Sequence, residues 1–249
     1  TVSIGVERLF FVFKSKFAIN HLLLYNKFMR EITFKIEEKQ DGLMIRDFLR
    51  NFGVSSSLLT KLKQDENGIC LNGEFAKAIA VLHTSDVLKI RIKNKGKMPE
   101  KFICDKVKVA YDDEDILVLN KPPLMPVHES RNHRGDTLAN VAACYMESDC
   151  AFRAVYRLDR DTSGLVLIAK NELAASKLAG KIKKDYYAIV KGKFENDGTI
   201  DLPIRRVRES IIERGVFDDG ERAITHYTAI KTDGKNTLLR LNLETGRTH

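Results

Sequence analysis

Tyr156-Arg157-Leu158-Asp159-Arg160-Asp161-Thr162-Ser163-Gly164 runs directly into Leu165-Val166-Leu167-Ile168-Ala169. The second part is an unbroken apolar run, the pattern of a strand buried on both faces. The first part holds two carboxylates and two guanidiniums between residues 157 and 161. Such a cluster cannot enter a core. A charged turn abutting a buried strand is a place where a rigid scaffold presents polar groups. Positive charge on both sides favours the ionised form of Asp159. An ionised, positioned aspartate can serve as nucleophile or general base. A salt-bridged turn that only caps the strand would account for the spacing equally well.

The flanking sequence predicts the rest of this unit. Ile116-Leu117-Val118-Leu119-Asn120-Lys121 reads as another buried strand, stopped by Pro122-Pro123. Residues 138–146 read as a helix, and so do residues 172–183, with Leu173, Leu178 and Ile182 inward. Residues 186–191, 223–231 and 237–243 read as strands. Strands outnumber helices and do not alternate with them, which indicates an α+β fold with a mixed or antiparallel sheet.

The N-terminal part has its own pattern. In residues 30–36, Ile32, Phe34 and Ile36 alternate onto one strand face. Leu43, Ile45, Phe48 and Leu49 fit a helix closed at Gly53. Ser55-Ser56-Ser57 offers an N-cap to a second helix carrying Leu58, Leu59 and Leu62. Asn72-Gly73 is the dipeptide a type I′ hairpin prefers, and residues 87–92 alternate as a strand. The expected division is a leader (1–28) that is non-native or disordered, a small unit (29–93), a basic linker with Gly and Pro (94–106), and a second unit (107–249).

Of 249 residues, 43% are hydrophobic and 31% charged, which is enough apolar material for a packed core and excludes wholesale disorder. The net charge of +8 leans towards residues 1–100, with 17 Lys and Arg against 11 Asp and Glu, and favours a polyanionic partner. The four cysteines lack CxxC spacing and read as reduced thiols of a cytoplasmic protein, with no metal site. The apolar patches of the first 28 residues are interrupted by Lys14, Lys16, His21 and Lys27, too often for a membrane span.

The run Arg157-Leu-Asp-Arg-Asp-Thr-Ser-Gly164, its apolar strand and Ala169-Lys170 resemble the central motif of the RluA family of RNA pseudouridine synthases. Asp115-Ile-Leu-Val-Leu-Asn-Lys-Pro-Pro123, with His128 after it, resembles the family's opening strand. Lys184-Asp-Tyr-Tyr-Ala-Ile-Val-Lys-Gly192 resembles its tyrosine strand, and Glu244-Thr-Gly-Arg-Thr-His249 the start of its third motif. Residues 29–93 resemble the S4 RNA-binding module. The resemblance implies a uridine-to-pseudouridine isomerase acting on large-subunit rRNA as a monomer, without cofactor or metal. Asp159 then matches the catalytic aspartate and Tyr186 the tyrosine against the uracil. Arg157 matches the residue that fills the space of the flipped base, with Arg160, Thr162 and Arg247 as further substrate-site residues. The S4-like unit would offer Arg46, Thr60, Lys61, Lys63, Asn72, Gly73 and Lys77 to phosphates. Tyr156 departs from the His or Gly common at its place. The arginine that pairs with the catalytic aspartate would fall three residues beyond His249, so a catalytic domain truncated at its C-terminus, with little turnover, is expected.

Two rival readings remain at this stage. One is a non-catalytic RNA-binding or ribosome-assembly factor on the same fold. The other is a metal nuclease built on Asp159 and Asp161.

Overall fold

The computed structural model describes residues 29–146, 150–207 and 213–246. The expected leader therefore lies outside the described residues, as does Arg247. Alternating apolar residues build the first sheet. β1 (Met29–Lys35) pairs antiparallel with β4 (Val87–Lys93), which also pairs with β2 (Ile69–Leu71), and β2 continues to β3 (Glu74–Phe75). Ile32, Phe34, Leu88, Ile90 and Ile92 are buried on one face. Against that face pack α1 (Ile45–Phe52) and α2 (Ser56–Gln64), through Ile45, Leu49, Leu58, Leu59 and Leu62. Gly53 ends α1 in the left-handed region (φ 105°), and the Ser55 hydroxyl accepts the Leu58 N–H to cap α2. Asn72 (φ 52°) and Gly73 (φ 92°) form the two-residue loop between β2 and β3, as the sequence predicts.

The second core is built on a three-stranded antiparallel sheet in the order β5 (Lys108–Asp112), β6 (Ile116–Lys121), β7 (Gly164–Ala169). Every residue of β7 is buried, as its unbroken apolar run requires. A helical turn α3 (Leu138–Ala142) and a short helix α4 (Glu172–Leu178) cover this sheet. Beyond them lies an antiparallel sheet in the order β8 (Asp185–Lys191), β13 (Asn236–Leu243), β12 (Ile224–Thr232), β9 (Gly198–Asp201). A separate hairpin joins β10 (Ile204–Arg206) and β11 (Arg214–Val216). All strand pairs among the described residues are antiparallel, within a mixed helix and sheet fold.

Two helices are shorter than the sequence pattern predicts. The helix from Leu138 stops at Ala142, and the helix from Glu172 stops at Leu178. In the second case Ala179 leaves the helical region (ψ 125°) and Gly180 turns left-handed (φ 69°), so Ile182 packs from a loop. Residues 94–106 carry no helix or strand, yet they are packed. Met98 joins the second core, a Cβ on Gly96 would lie 2.5 Å from that of Ala151, and Phe102 N–H donates to the Asn140 carbonyl at 3.1 Å.

The two cores are bolted together. The Arg30 guanidinium on β1 grips both Asp115 carboxylate oxygens (3.0 and 3.1 Å) and reaches Glu114 at 3.2 Å. Asn171 donates to the same Asp115 at 2.7 Å. From α4, Leu173 inserts into the first core, the Ser176 hydroxyl donates to the Gly53 carbonyl at 2.8 Å, and the Lys177 ammonium lies 3.3 Å from the Phe52 ring centroid. Because the Arg30 side chain is largely shielded, its charge-assisted bonds are worth more than a surface pair. Arg30→Ala is expected to lower unfolding stability by about 2 kcal/mol. Urea denaturation checks this, and a change within experimental error would show that the pair does not join the two units.

Candidate active site

Asp159 lies on an exposed turn between Leu158, buried in the second core, and the start of β7. The Thr162 N–H donates to the Asp159 carbonyl at 3.2 Å and closes the turn. The carboxylate itself makes no hydrogen bond or ion pair with any described residue. Arg160, which the sequence suggests as a counter-ion for Asp159, instead pairs with Asp161 (2.8 and 3.4 Å). Arg157 is exposed, with no partner among the described residues, and its charge, after desolvation, helps push the His128 imidazole down from its ordinary pKa. His128 meets the Phe152 ring edge to face at 5.2 Å.

Tyr186 reaches this turn from β8. Its phenol is raised above the ordinary tyrosine range first by burial and second by the Asp159 carboxylate, which places the two groups within electrostatic reach. Tyr156 lines the same region, half-buried against the core, with its hydroxyl donating to the Leu165 carbonyl at 3.1 Å. Burial raises its pKa as well, and the neighbouring Tyr186 adds to this. The structure thus brings Tyr186 of β8 within electrostatic reach of Asp159, which lies more than twenty residues earlier in sequence.

The support for the turn is Lys121, which is fully buried at the end of β6. Its ammonium donates to the carbonyls of Pro122 (3.0 Å), Met125 (2.8 Å) and Arg160 (3.0 Å). Burial depresses its pKa to about 8, partly offset by the charges of Asp161 and Asp159. The loop it holds carries a strained residue, since Leu124 sits at φ 64°. A left-handed leucine costs roughly 1 kcal/mol or more. A lysine reads in sequence as a surface residue, so only its place between a buried strand and two prolines hinted at this role.

The residues expected to meet phosphates behave differently from one another. Lys63 and Lys77 are exposed on α2 and on the loop after β3. Arg46 lies 3.5 Å from Asp47, and the Thr60 hydroxyl bonds back to the Ser56 carbonyl. Lys61 is engaged with Glu172 of α4 at 2.6 Å, where it helps to join the two units. Asn72 is held by Asp86 and the Val87 N–H (both 2.8 Å), so its side chain braces the hairpin that Gly73 completes. Among the described residues, no group of three His, Cys, Asp or Glu could hold a metal ion, and the Asp161 oxygens are occupied by Arg160. No helix among them is long and apolar enough to cross a membrane.

An exposed carboxylate on a braced turn, with a phenol within electrostatic reach and an exposed guanidinium, fits the class of carboxylate-based catalysts. Comparison with known proteins narrows that class. Residues 115–249 match the family described as RNA pseudouridylate synthase. A Bacillus subtilis protein called uncharacterized RNA pseudouridine synthase YjbO is 34% identical over 218 residues, 83% of this chain and 77% of its own. A second B. subtilis protein of that description, YlyB, is 30% identical over 235 residues, 89% of this chain and 77% of its own. Ribosomal large subunit pseudouridine synthase D of Pseudomonas aeruginosa is 40% identical over 152 residues, so this chain spans 47% of that relative. The chain belongs to the RNA pseudouridylate synthase family.

The depressed Lys121 pKa makes a prediction for stability. Between about 8 and 10.5 the unfolded lysine binds a proton that the folded one has released. Stability must therefore rise with pH across this window, by at most about 3 kcal/mol. Lys121→Met removes this rise. Thermal unfolding of both proteins between pH 7 and pH 10.5 checks it, and parallel curves would contradict the burial of the charge.

Proposed function

We propose that the intact protein converts uridines of large-subunit ribosomal RNA to pseudouridine in the cytoplasm, acting as a monomer. The observation that carries the reading is the Asp159 carboxylate, presented without a described partner on a turn braced by Lys121 and faced by Tyr186. In this reading Asp159 attacks the target nucleotide, or removes a proton from it, and the N1–C1′ bond breaks. The freed uracil turns and C5 bonds to C1′, and any bond the Asp159 carboxylate has formed to the nucleotide breaks, so that the carboxylate is regenerated. The C5 proton leaves to a base and N1 ends protonated, so atoms and electrons balance without an oxidant or reductant.

The other side chains take parts that suit their chemistry. A stacked or paired uridine must leave its stack to meet Asp159. The exposed planar guanidinium of Arg157 can fill the space left behind and pair with phosphate. The half-buried ring of Tyr186 offers a face for the uracil. Arg160 and Thr162 act on the turn itself, one through Asp161 and the other through the Asp159 carbonyl. Residues 29–93 serve as an S4-like RNA-binding unit, with Lys63, Lys77 and Arg46 as phosphate contacts. The choice of large-subunit rRNA is supported by the relatives named ribosomal large subunit pseudouridine synthase D.

The test is pseudouridine mapping of total RNA from host cells with the gene intact, deleted, or replaced by the Asp159→Asn form. One or more large-subunit rRNA sites should lose pseudouridine on deletion and stay unmodified with Asp159→Asn, while the purified variant still binds RNA. Restoration of the modification by Asp159→Asn would refute the assignment of the aspartate.

A further inference from the structure

Lys184 stands directly before β8 and has no part in the mechanism above. Its ammonium lies 4.8 Å from the centroid of the Tyr156 ring. The side chain is half-buried, and desolvation lowers its pKa below the ordinary lysine value. No described carboxylate or carbonyl bonds to it. Three other lysines of this unit are engaged. Lys170 pairs with Asp112, Lys193 with Glu195, and Lys121 with three carbonyls. Tyr156, the ring beneath Lys184, is itself held through its hydroxyl to the Leu165 carbonyl at the start of the central strand. Tyr186 follows two residues later and also lies within electrostatic reach of Tyr156.

We propose that Lys184 is a substrate-binding residue that takes a backbone phosphodiester of the RNA next to the uridine held at Asp159. The inference rests on the reading of function given above. An ammonium over an aromatic face, half out of water and without an anion, is short of a counter-charge. A phosphodiester supplies that charge, and in this shielded place the attraction exceeds that of a lysine on open surface. Because Tyr156 neighbours both the ammonium and Tyr186, a phosphate bound by Lys184 sets the approach of the nucleotide to Asp159. The site then favours uridine within a chain over the free nucleoside, which lacks a phosphate to offer.

The experiment uses the intact gene product, a substrate RNA taken from the mapped region, and Lys184→Met, Lys184→Gln and Lys184→Arg. RNA affinity is measured by anisotropy over a series of KCl concentrations, alongside kcat and KM for pseudouridine formation. In Lys184→Met and Lys184→Gln the slope of log affinity against log salt should shrink by about 0.7–0.9, one phosphate contact. KM should rise roughly tenfold with kcat changed less than threefold, and Lys184→Arg should restore the slope. The second neutral variant covers the case in which methionine perturbs folding. An unchanged slope in both neutral variants, or a fall in kcat at constant KM, would reduce Lys184 to a prop for Tyr156 and overturn the proposal. Failure of the wild-type protein to form pseudouridine would instead overturn the functional reading, and this proposal with it.

Discussion

A buried ammonium holds the turn that carries Asp159 to the core. Lys121 is fully shielded from solvent and spends its three protons on three backbone carbonyls, one of them that of Arg160 inside the turn. A lone charge in such a place is expensive, which the depression of its pKa to about 8 expresses. The bonds to Pro122, Met125 and Arg160 offset part of that cost, and the acidic side chains of the turn offset more. What results is geometric. The end of β6, the loop after it and the turn before β7 cannot move independently, so Asp159 is carried on a fixed frame rather than a mobile loop.

The same strand is anchored at its other end. Asp115, immediately before β6, accepts bonds from Arg30 of the first unit and from Asn171 at the start of α4. β6 therefore runs from an ion pair that joins the two units to the lysine that holds the Asp159 turn. Leu173 and Lys177 on α4 add an apolar and a cation–aromatic contact to the first unit. Under the proposed function, RNA bound by Lys63 and Lys77 of the first unit is thereby held in a set relation to the Asp159 turn. Lys61, spent on Glu172, contributes to that relation rather than to phosphate binding.

Much of this was legible in the sequence because the signals were local. Alternation gave β1 and β4, the unbroken apolar runs gave β6 and β7, and Gly53, Ser55 and Asn72-Gly73 marked their turns and caps by backbone preference. The charged turn at Asp159 was visible for the same reason. What could not be read was set by distant partners. A lysine after an apolar strand carries no mark of full burial, since its three acceptors come from residues 122, 125 and 160. The preference of Arg160 for Asp161 over Asp159 depends on turn geometry. The early end of α4 is a different case, because Gly180 turns left-handed just past it and is a local stop signal of the same kind as Gly53. The electrostatic reach between Tyr186 and Asp159 has no mark in the spacing, because the two come from a strand and a turn far apart in sequence.

The central claim is that the Lys121 clamp keeps Asp159 where it can react. Formation of the C5–C1′ bond expels the hydrogen from uracil C5, so release of tritium from RNA labelled at that carbon reports the chemistry alone. The decisive measurement is the single-turnover rate of that release for the intact protein and for Lys121→Met, at neutral pH and with both shown to be folded. Displacement of the turn by a fraction of an ångström predicts a loss of roughly tenfold or more, with RNA affinity preserved. Equal rates would contradict the account, because the turn would then hold its place without the buried charge.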